Sequence, residues 1–147
     1  MEGELKINGK DMYAEYGMFL TEKSQGDYFN LSELLKPSKM KPYTSVSFRE
    51  ENGEKLPETL PEPKREARDF QLYVAIVGDT PELFSAKYAA VMQLLSSGWL
   101  NMDISLTGRT YKVYYQECTA YEPLTGTEDG EVICRMKLKF REPNPEF

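Results

Sequence analysis

Residues 68–99 decide the fold, and they read RDFQLYVAIVGDTPELFSAKYAAVMQLLSSGW. Apolar residues fill both alternating sets of positions up to Val77, a pattern typical of a central strand that is covered on both faces. Gly78 then breaks the strand. Thr80 is a good helix N-cap, and Pro81 suits the first helical position. The stretch therefore predicts a buried strand that leads directly into a helix.

The helix is predicted over about residues 80–97. Apolar side chains recur at helical spacing on one face, namely Phe84, Tyr88, Val91 and Leu95. Gly98 suits a left-handed C-terminal cap. We expect this face to pack on the sheet, and we expect Trp99, just after the cap, to close the helix onto it.

Alternating strands follow the helix. Residues 100–106 are apolar at every second position, and a turn at residues 107–109 leads into a strand at residues 110–121. An acidic turn is predicted at residues 126–130. From Val132 to Phe140 every second residue is apolar, and most of the others are basic. We interpret the basic stripe as the solvated face of an edge strand, with contact to an acidic neighbour as the alternative.

The first half of the chain gives weaker signals. Asparagine and glycine at residues 8–9 predict a tight turn within a first hairpin at residues 4–20. Residues 30–35 can form one helical turn that the following proline stops. Residues 44–49 alternate as a strand does.

A charged, proline-containing loop is predicted at residues 50–69. Its charges of both signs and its few apolar residues indicate a solvated, mobile loop. The alternative is an arm that orders against a neighbouring subunit, because long loops in compact domains are often functional. Together the elements predict one α+β domain over residues 1–147, a mainly antiparallel β-sandwich or barrel-like sheet with one principal helix.

Composition argues against several function classes. The 147 residues carry a formal net charge of −6, whereas binding to nucleic acid needs clustered lysine and arginine. No run of about 18 apolar residues is present, so no membrane helix is expected. The acidic start lacks the features of a secretory signal, and we expect synthesis in the cytoplasm.

No catalytic, cofactor-binding or metal-binding residue is predicted. The chain has no histidine, which removes Ser-His-Asp and Cys-His arrangements and the usual zinc sites. It also has no glycine-rich phosphate loop. We therefore expect no enzyme, and a glycosidase that uses two carboxylates is the enzymatic rival.

The last predicted hairpin carries both cysteines and several tyrosines. Cys118 and Cys134 face each other or lie on different faces, depending on a register that the sequence leaves open. Two buried thiols are favoured over a disulfide. Tyr111, Tyr114 and Tyr115 fall on both faces of one strand. A place in the core or in a subunit interface is therefore favoured over a ligand platform.

The order of these elements resembles that of bacteriophage tail proteins. The resemblance rests on INGKD at residues 7–11, on RDFQL at residues 68–72 with the helix that follows, and on LTGRTYKVYY at residues 106–115. The chain looks most like the N-terminal domain of the distal tail proteins of phages and prophages with long, flexible tails.

The resemblance implies a domain flanked by one helix whose sheets join in a ring of six subunits around a channel for DNA. The expected partners are copies of this chain and neighbouring tail-tube or baseplate hub proteins. Synthesis in the bacterial cytoplasm would precede assembly into a virion tail or a prophage-derived particle. We expect the protein to lack the carbohydrate-binding-like domain of many distal tail proteins, which would leave a tube or connector role open. The alternative is a monomeric ligand- or carbohydrate-binding β module of non-phage origin.

Overall fold

The computed structural model describes residues 2–22, 24, 26–124 and 131–147. Its elements are β1 (Leu5–Ile7), β2 (Lys10–Asp11), α1 (Met12–Tyr16), β3 (Met18–Leu20), α2 (Phe29–Leu35), β4 (Arg68–Gly78), α3 (Pro81–Leu95), β5 (Leu100–Ile104), β6 (Arg109–Leu124) and β7 (Val132–Glu142). All strand pairs are antiparallel, in the order β2-β1-β5-β6-β7-β4-β3. This confirms the predicted α+β class, with a mainly antiparallel sheet and one principal helix.

Strand β6 joins two halves of the sheet. Its residues 109–113 pair with β5, and its residues 114–124 pair with β7. Strands β2, β1 and β5 therefore extend from the first part of β6, and β7, β4 and β3 extend from the second. The apolar side chains of both halves, together with Val91 and Leu95 of α3, form one buried core.

The longest ladder joins β4 to β7 and runs from the pair Arg68 and Glu142 to the pair Gly78 and Val132. Strand β7 lies between β4 and β6, so the interpretation of its basic stripe as the face of an edge strand is wrong. Arg141 pairs with Asp69 of β4 at 3.0 Å. Arg135 also pairs with Glu122 of β6, so the two arginines of the stripe meet acidic side chains of the strands on either side of β7.

Helix α3 begins as predicted and ends at Leu95. The Thr80 hydroxyl accepts a hydrogen bond from the Leu83 N–H at 3.2 Å. Gly78 allows the helix to approach β4 closely, because a Cβ atom there would lie 2.5 Å from the Phe84 Cα. No helix in the described part of the chain is long and apolar enough to cross a membrane.

A short helix replaces part of the predicted first hairpin. Asp11 caps α1, and its carboxylate accepts hydrogen bonds from the N–H groups of Gly3 at 2.6 Å and Tyr13 at 3.1 Å. These bonds, that from Gly3 above all, lower the pKa of Asp11. Gly17 ends the helix with φ of 66°, in the left-handed region that favours glycine. The predicted tight turn is present, since Asn8 and Gly9 both have positive φ.

Two apolar residues lie outside the core, contrary to prediction. Trp99 is 52% exposed and does not close the helix onto the sheet. Leu106 is 49% exposed, because β5 ends at Ile104 and the Gly108 N–H bonds back to the Ile104 carbonyl at 2.9 Å. The turn predicted at residues 126–130 lies outside the described residues.

The two cysteines do not face each other. Cys118 lies opposite Leu138, and Cys134 lies opposite Pro123, with two register shifts in the ladder. Both thiols are free. Cys134 is buried as predicted, but Cys118 is exposed, as are the neighbouring side chains from Gln116 to Leu124.

Candidate functional site

The segment between α2 and β4 folds as an antiparallel arm, which we define as residues 39–66. Its two limbs form bridges between Met40 and Arg65 and between Val46 and Lys55. The charged segment predicted at residues 50–69 is mainly the second limb of this arm. The alternating segment at residues 44–49 lies in the first limb, where it forms one bridge and no regular strand.

Prolines explain why the arm is not a regular hairpin. Between its two bridges the first limb has five residues and the second has nine. The longer limb contains Pro57, Pro61 and Pro63, which have no N–H to donate to a ladder. The second limb therefore bulges away from the first, and much of its backbone is left for other contacts.

The arm exposes large apolar side chains that have no place in the core. The exposed fractions are 40% for Met40, 52% for Val46, 48% for Phe48, 40% for Leu56 and 49% for Leu60. Single exposed apolar residues are ordinary, but several on one segment typically mark a contact surface. The arm is therefore the first candidate interaction surface.

The last residues of the chain hold the base of the arm. The Ser38 N–H donates to the Phe147 carbonyl at 3.1 Å, and the Arg65 Nε donates to the Glu146 carbonyl at 3.1 Å. The guanidinium of Arg68 lies 5.0 Å from the centroid of the Phe147 ring. These contacts fix the base of the arm against the last residues of the chain and the first residue of β4.

The second candidate surface is the outer strand, which we define as residues 114–124 of β6. One of its edges pairs with β7, and no strand within the described ranges pairs with the other. Side chains from Gln116 to Leu124 are exposed. Such an edge is a template for another strand. Bulges next to Gln116 and Thr119, and Pro123 without an N–H, limit how regularly a strand could add there.

Helix α3 supports the outer strand. The rings of Tyr88 and Tyr121 meet edge-on with centroids 6.2 Å apart. Burial raises the pKa of both phenols, and nearby Cys118 and Cys134 add to the effect. The outer strand is therefore tied to the body of the domain although most of its side chains face solvent.

A third surface surrounds Trp99. A shallow cavity of about 340 Å³ is lined by Leu95, Ser96, Gly98, Trp99, Tyr114 and Tyr115. The Trp99 and Tyr114 rings meet edge-on at 6.0 Å, and the Lys112 Nζ lies 4.8 Å from the Trp99 ring centroid. Tyr111 is in the core, at 2% exposure. These tyrosines of β6 thus divide between the core, where Tyr111 lies, and the rim of this cavity, where Tyr114 and Tyr115 lie.

No family model and no curated protein matches the sequence. Among solved structures, the chain is similar to the Dit protein (gp 19.1) of SPP1, described as a paradigm of the hub adsorption apparatus in phages that infect Gram-positive bacteria. The likeness covers 92% of this chain and 48% of that chain, with a TM-score of 0.52 and 14% sequence identity. This chain therefore spans about half the length of SPP1 Dit. At this level of identity the likeness shows a shared fold.

Proposed function

We propose that the protein is a structural component of a bacteriophage or prophage tail. It would form a ring with copies of itself, and the expected ring has six subunits. The observation that supports this most is the fold shared with SPP1 Dit over 92% of the chain. The ring would lie between tail tube and baseplate, in contact with tail-tube or hub proteins. The proposal assigns the chain no catalytic activity and no cofactor.

The two edges of one half-sheet suggest how the ring is built. The outer strand lies at one edge and β3 at the other, in the order β6-β7-β4-β3. Pairing the outer strand of one subunit with β3 of the next would continue the sheet from subunit to subunit. A head-to-tail contact of this kind closes into a ring when its rotation allows, and it covers edges that otherwise invite aggregation.

The charge of the chain suits a channel for DNA. With a formal net charge of −6, a ring of this protein would repel phosphates more than it binds them. DNA could then pass without adhering. We propose synthesis in the bacterial cytoplasm, followed by incorporation into a virion tail or a prophage-derived particle.

Absolute mass by light scattering after size exclusion, over a hundredfold range of protein concentration, tests self-assembly. The matched variant replaces residues 42–63 by Asn-Gly, because the Lys41 N–H and the Lys64 carbonyl already pair at 2.8 Å across the base of the arm. The mass of the natural chain should rise with concentration toward that of a closed ring, and electron microscopy should show a channel in that ring. The shortened chain should assemble less at the same concentrations. A natural chain that stays monomeric at every concentration would contradict the proposal.

The alternative, a monomeric carbohydrate-binding module, is favoured by one observation, the exposed Trp99 beside Tyr114. Aromatic rings that stack on ligands typically lie at such surfaces. Trp99 is the single tryptophan, so its fluorescence reports directly on this surface. A saturable change with a defined oligosaccharide, weakened in Tyr114→Ala, would favour this alternative.

A further inference from the structure

Charge is divided along the arm. Its far end, residues 46–58, contains four glutamates against Arg49 and Lys55, and the exposed cations at its base are Lys36, Lys39, Lys41, Lys64 and Arg65. Lys55 pairs with Glu51 at 3.1 Å and Lys64 with Glu62 at 3.5 Å. Over the ranges that the structure describes, no ion pair is made by the side chains of Glu50, Glu54, Glu58, Lys39 and Lys41. The far end therefore carries a net negative charge, and the base carries an excess of cations.

The two ends do not neutralise each other within one chain. The limb from the Met40 bridge to the Val46 bridge spans up to about 20 Å when extended. Exposed charges at that separation are screened at physiological ionic strength, where the Debye length is about 8 Å. The complementary charges are therefore available to a second molecule.

A cavity of about 410 Å³ at the base of the arm offers a receiving surface, and its lining includes Lys41, Lys64, Arg65, Pro63, Pro143 and Pro145. The far end of the arm presents Val46, Phe48 and Leu56 next to its glutamates. Prolines offer apolar contact to such side chains, and the three cations match the carboxylates. The two ends of the arm are thus complementary in charge and in polarity.

We propose that the acidic far end of one subunit's arm docks into this basic, proline-lined cavity of the next subunit. This inference rests on the proposed ring and names the contact that the arm makes in it. Donor and acceptor surfaces lie on different parts of the same chain, so the contact repeats head-to-tail from subunit to subunit. The occupant of the cavity is a second copy of this chain.

A charge exchange tests the docking with full-length chains. Variant T carries Glu50→Lys, Glu54→Lys and Glu58→Lys, and variant B carries Lys39→Glu, Lys41→Glu and Lys64→Glu. Each variant alone sets like charges against each other, so its midpoint concentration for assembly should rise at least about tenfold. The chain with all six changes keeps the natural net charge and should regain assembly. An equimolar mixture of T and B should also assemble, because the far end of each variant then meets an oppositely charged cavity on the other variant.

Circular dichroism and thermal unfolding verify that every variant is folded. A variant with Lys6→Glu and Lys10→Glu, on β1 and β2, is the control for charge reversal away from the arm, and it should assemble as the natural chain does. Assembly of T or B alone at the natural midpoint, while the natural chain forms rings, would overturn the docking and leave the ring proposal standing. Failure of both the mixture and the sixfold variant would also overturn it. A natural chain that never assembles would instead refute the ring proposal itself.

Discussion

The side-chain amide of Asn30 pairs with both backbone polar groups of Tyr73. Its Oδ1 accepts the Tyr73 N–H at 2.8 Å, and its Nδ2 donates to the Tyr73 carbonyl at 3.1 Å. Strand β3 ends at Leu20, so no strand in the described part of the chain pairs with the rest of β4 on that side. Glu33 continues the pattern by accepting the Gln71 N–H at 3.2 Å. Helix α2 therefore covers a sheet edge with its side chains.

Asn30→Ala should destabilise the domain. Asn30 is 8% exposed, and its removal leaves the Tyr73 N–H without its partner at a cost of about 1–3 kcal/mol. Ser32→Ala, on the exposed side of the same helix, should change the free energy of unfolding by less than about 0.5 kcal/mol. Denaturant unfolding measures both, and equal effects would mean that the amide does not substitute for a strand.

This edge shows why the sequence predicts only part of the fold. Strands β4 and β7 and helix α3 are regular and long, so their periodicity is clear in the sequence. Asn30 forms its bonds with a residue 43 positions away, and no local pattern marks such a partner. Helix α1 has five residues, too few to show a helical period within a stretch that also alternates.

The pair Arg68 and Glu142 is a second long-range contact. Arg68 Nε donates to Glu142 Oε1 at 2.7 Å, and both side chains are less than 10% exposed. Glu142→Gln leaves the Arg68 charge buried without its partner, which should cost about 3–5 kcal/mol of unfolding free energy. The double variant Arg68→Met, Glu142→Leu should recover much of this loss. A double variant less stable than Glu142→Gln would contradict that account.

Two leucines of α3 provide a matched test of its packing. Leu95 is 1% exposed and Leu83 is 48% exposed. Leu95→Ala should lower the free energy of unfolding by about 2–5 kcal/mol, because it removes core contacts and leaves a cavity. Leu83→Ala should cost less than about 1 kcal/mol, since alanine is the better helix former. Thermal unfolding distinguishes them, and similar shifts would mean that this face of the helix is not core.

The candidate surfaces were harder to predict than the core. The sequence marked residues 50–69 but missed the partner limb, whose only signal was the alternation at residues 44–49. Pairing across an irregular loop depends on geometry that no periodicity encodes. Trp99 was expected in the core because large aromatic residues usually bury surface. In the structure its ring instead contacts Tyr114 and Lys112 at the surface.

Alkaline pH should destabilise the domain. Burial raises the pKa of the Cys134 thiol above its ordinary value of 9.0, and partial burial beside Cys134 raises that of the half-exposed Tyr121 phenol above 10.0. Below those ordinary values both groups are protonated in either state, so stability is intact. As pH rises past them, the unfolded chain loses protons first and stability falls.

Unfolding midpoints in denaturant between pH 8 and pH 11 measure this fall. Tyr121→Phe should flatten it, because that variant removes one of the ionising groups. Tyr28→Phe, at a residue that is 70% exposed, is the control and should leave the curve unchanged. Stability that is constant over this pH range would refute the role of Cys134 and Tyr121.

The two thiols should differ strongly in reactivity. The thiolate is the reacting form, and burial both shields the Cys134 sulfur and raises its pKa. Cys118 is exposed, so at pH 8 a thiol reagent should modify Cys118 quickly in the folded chain. Cys134 should react only after denaturant is added. Cys118→Ser should abolish the fast reaction, and Cys134→Ser should leave it unchanged. Fast modification of both residues in folded protein would show that β7 opens to solvent at Cys134, contrary to its place in the central strand of the core.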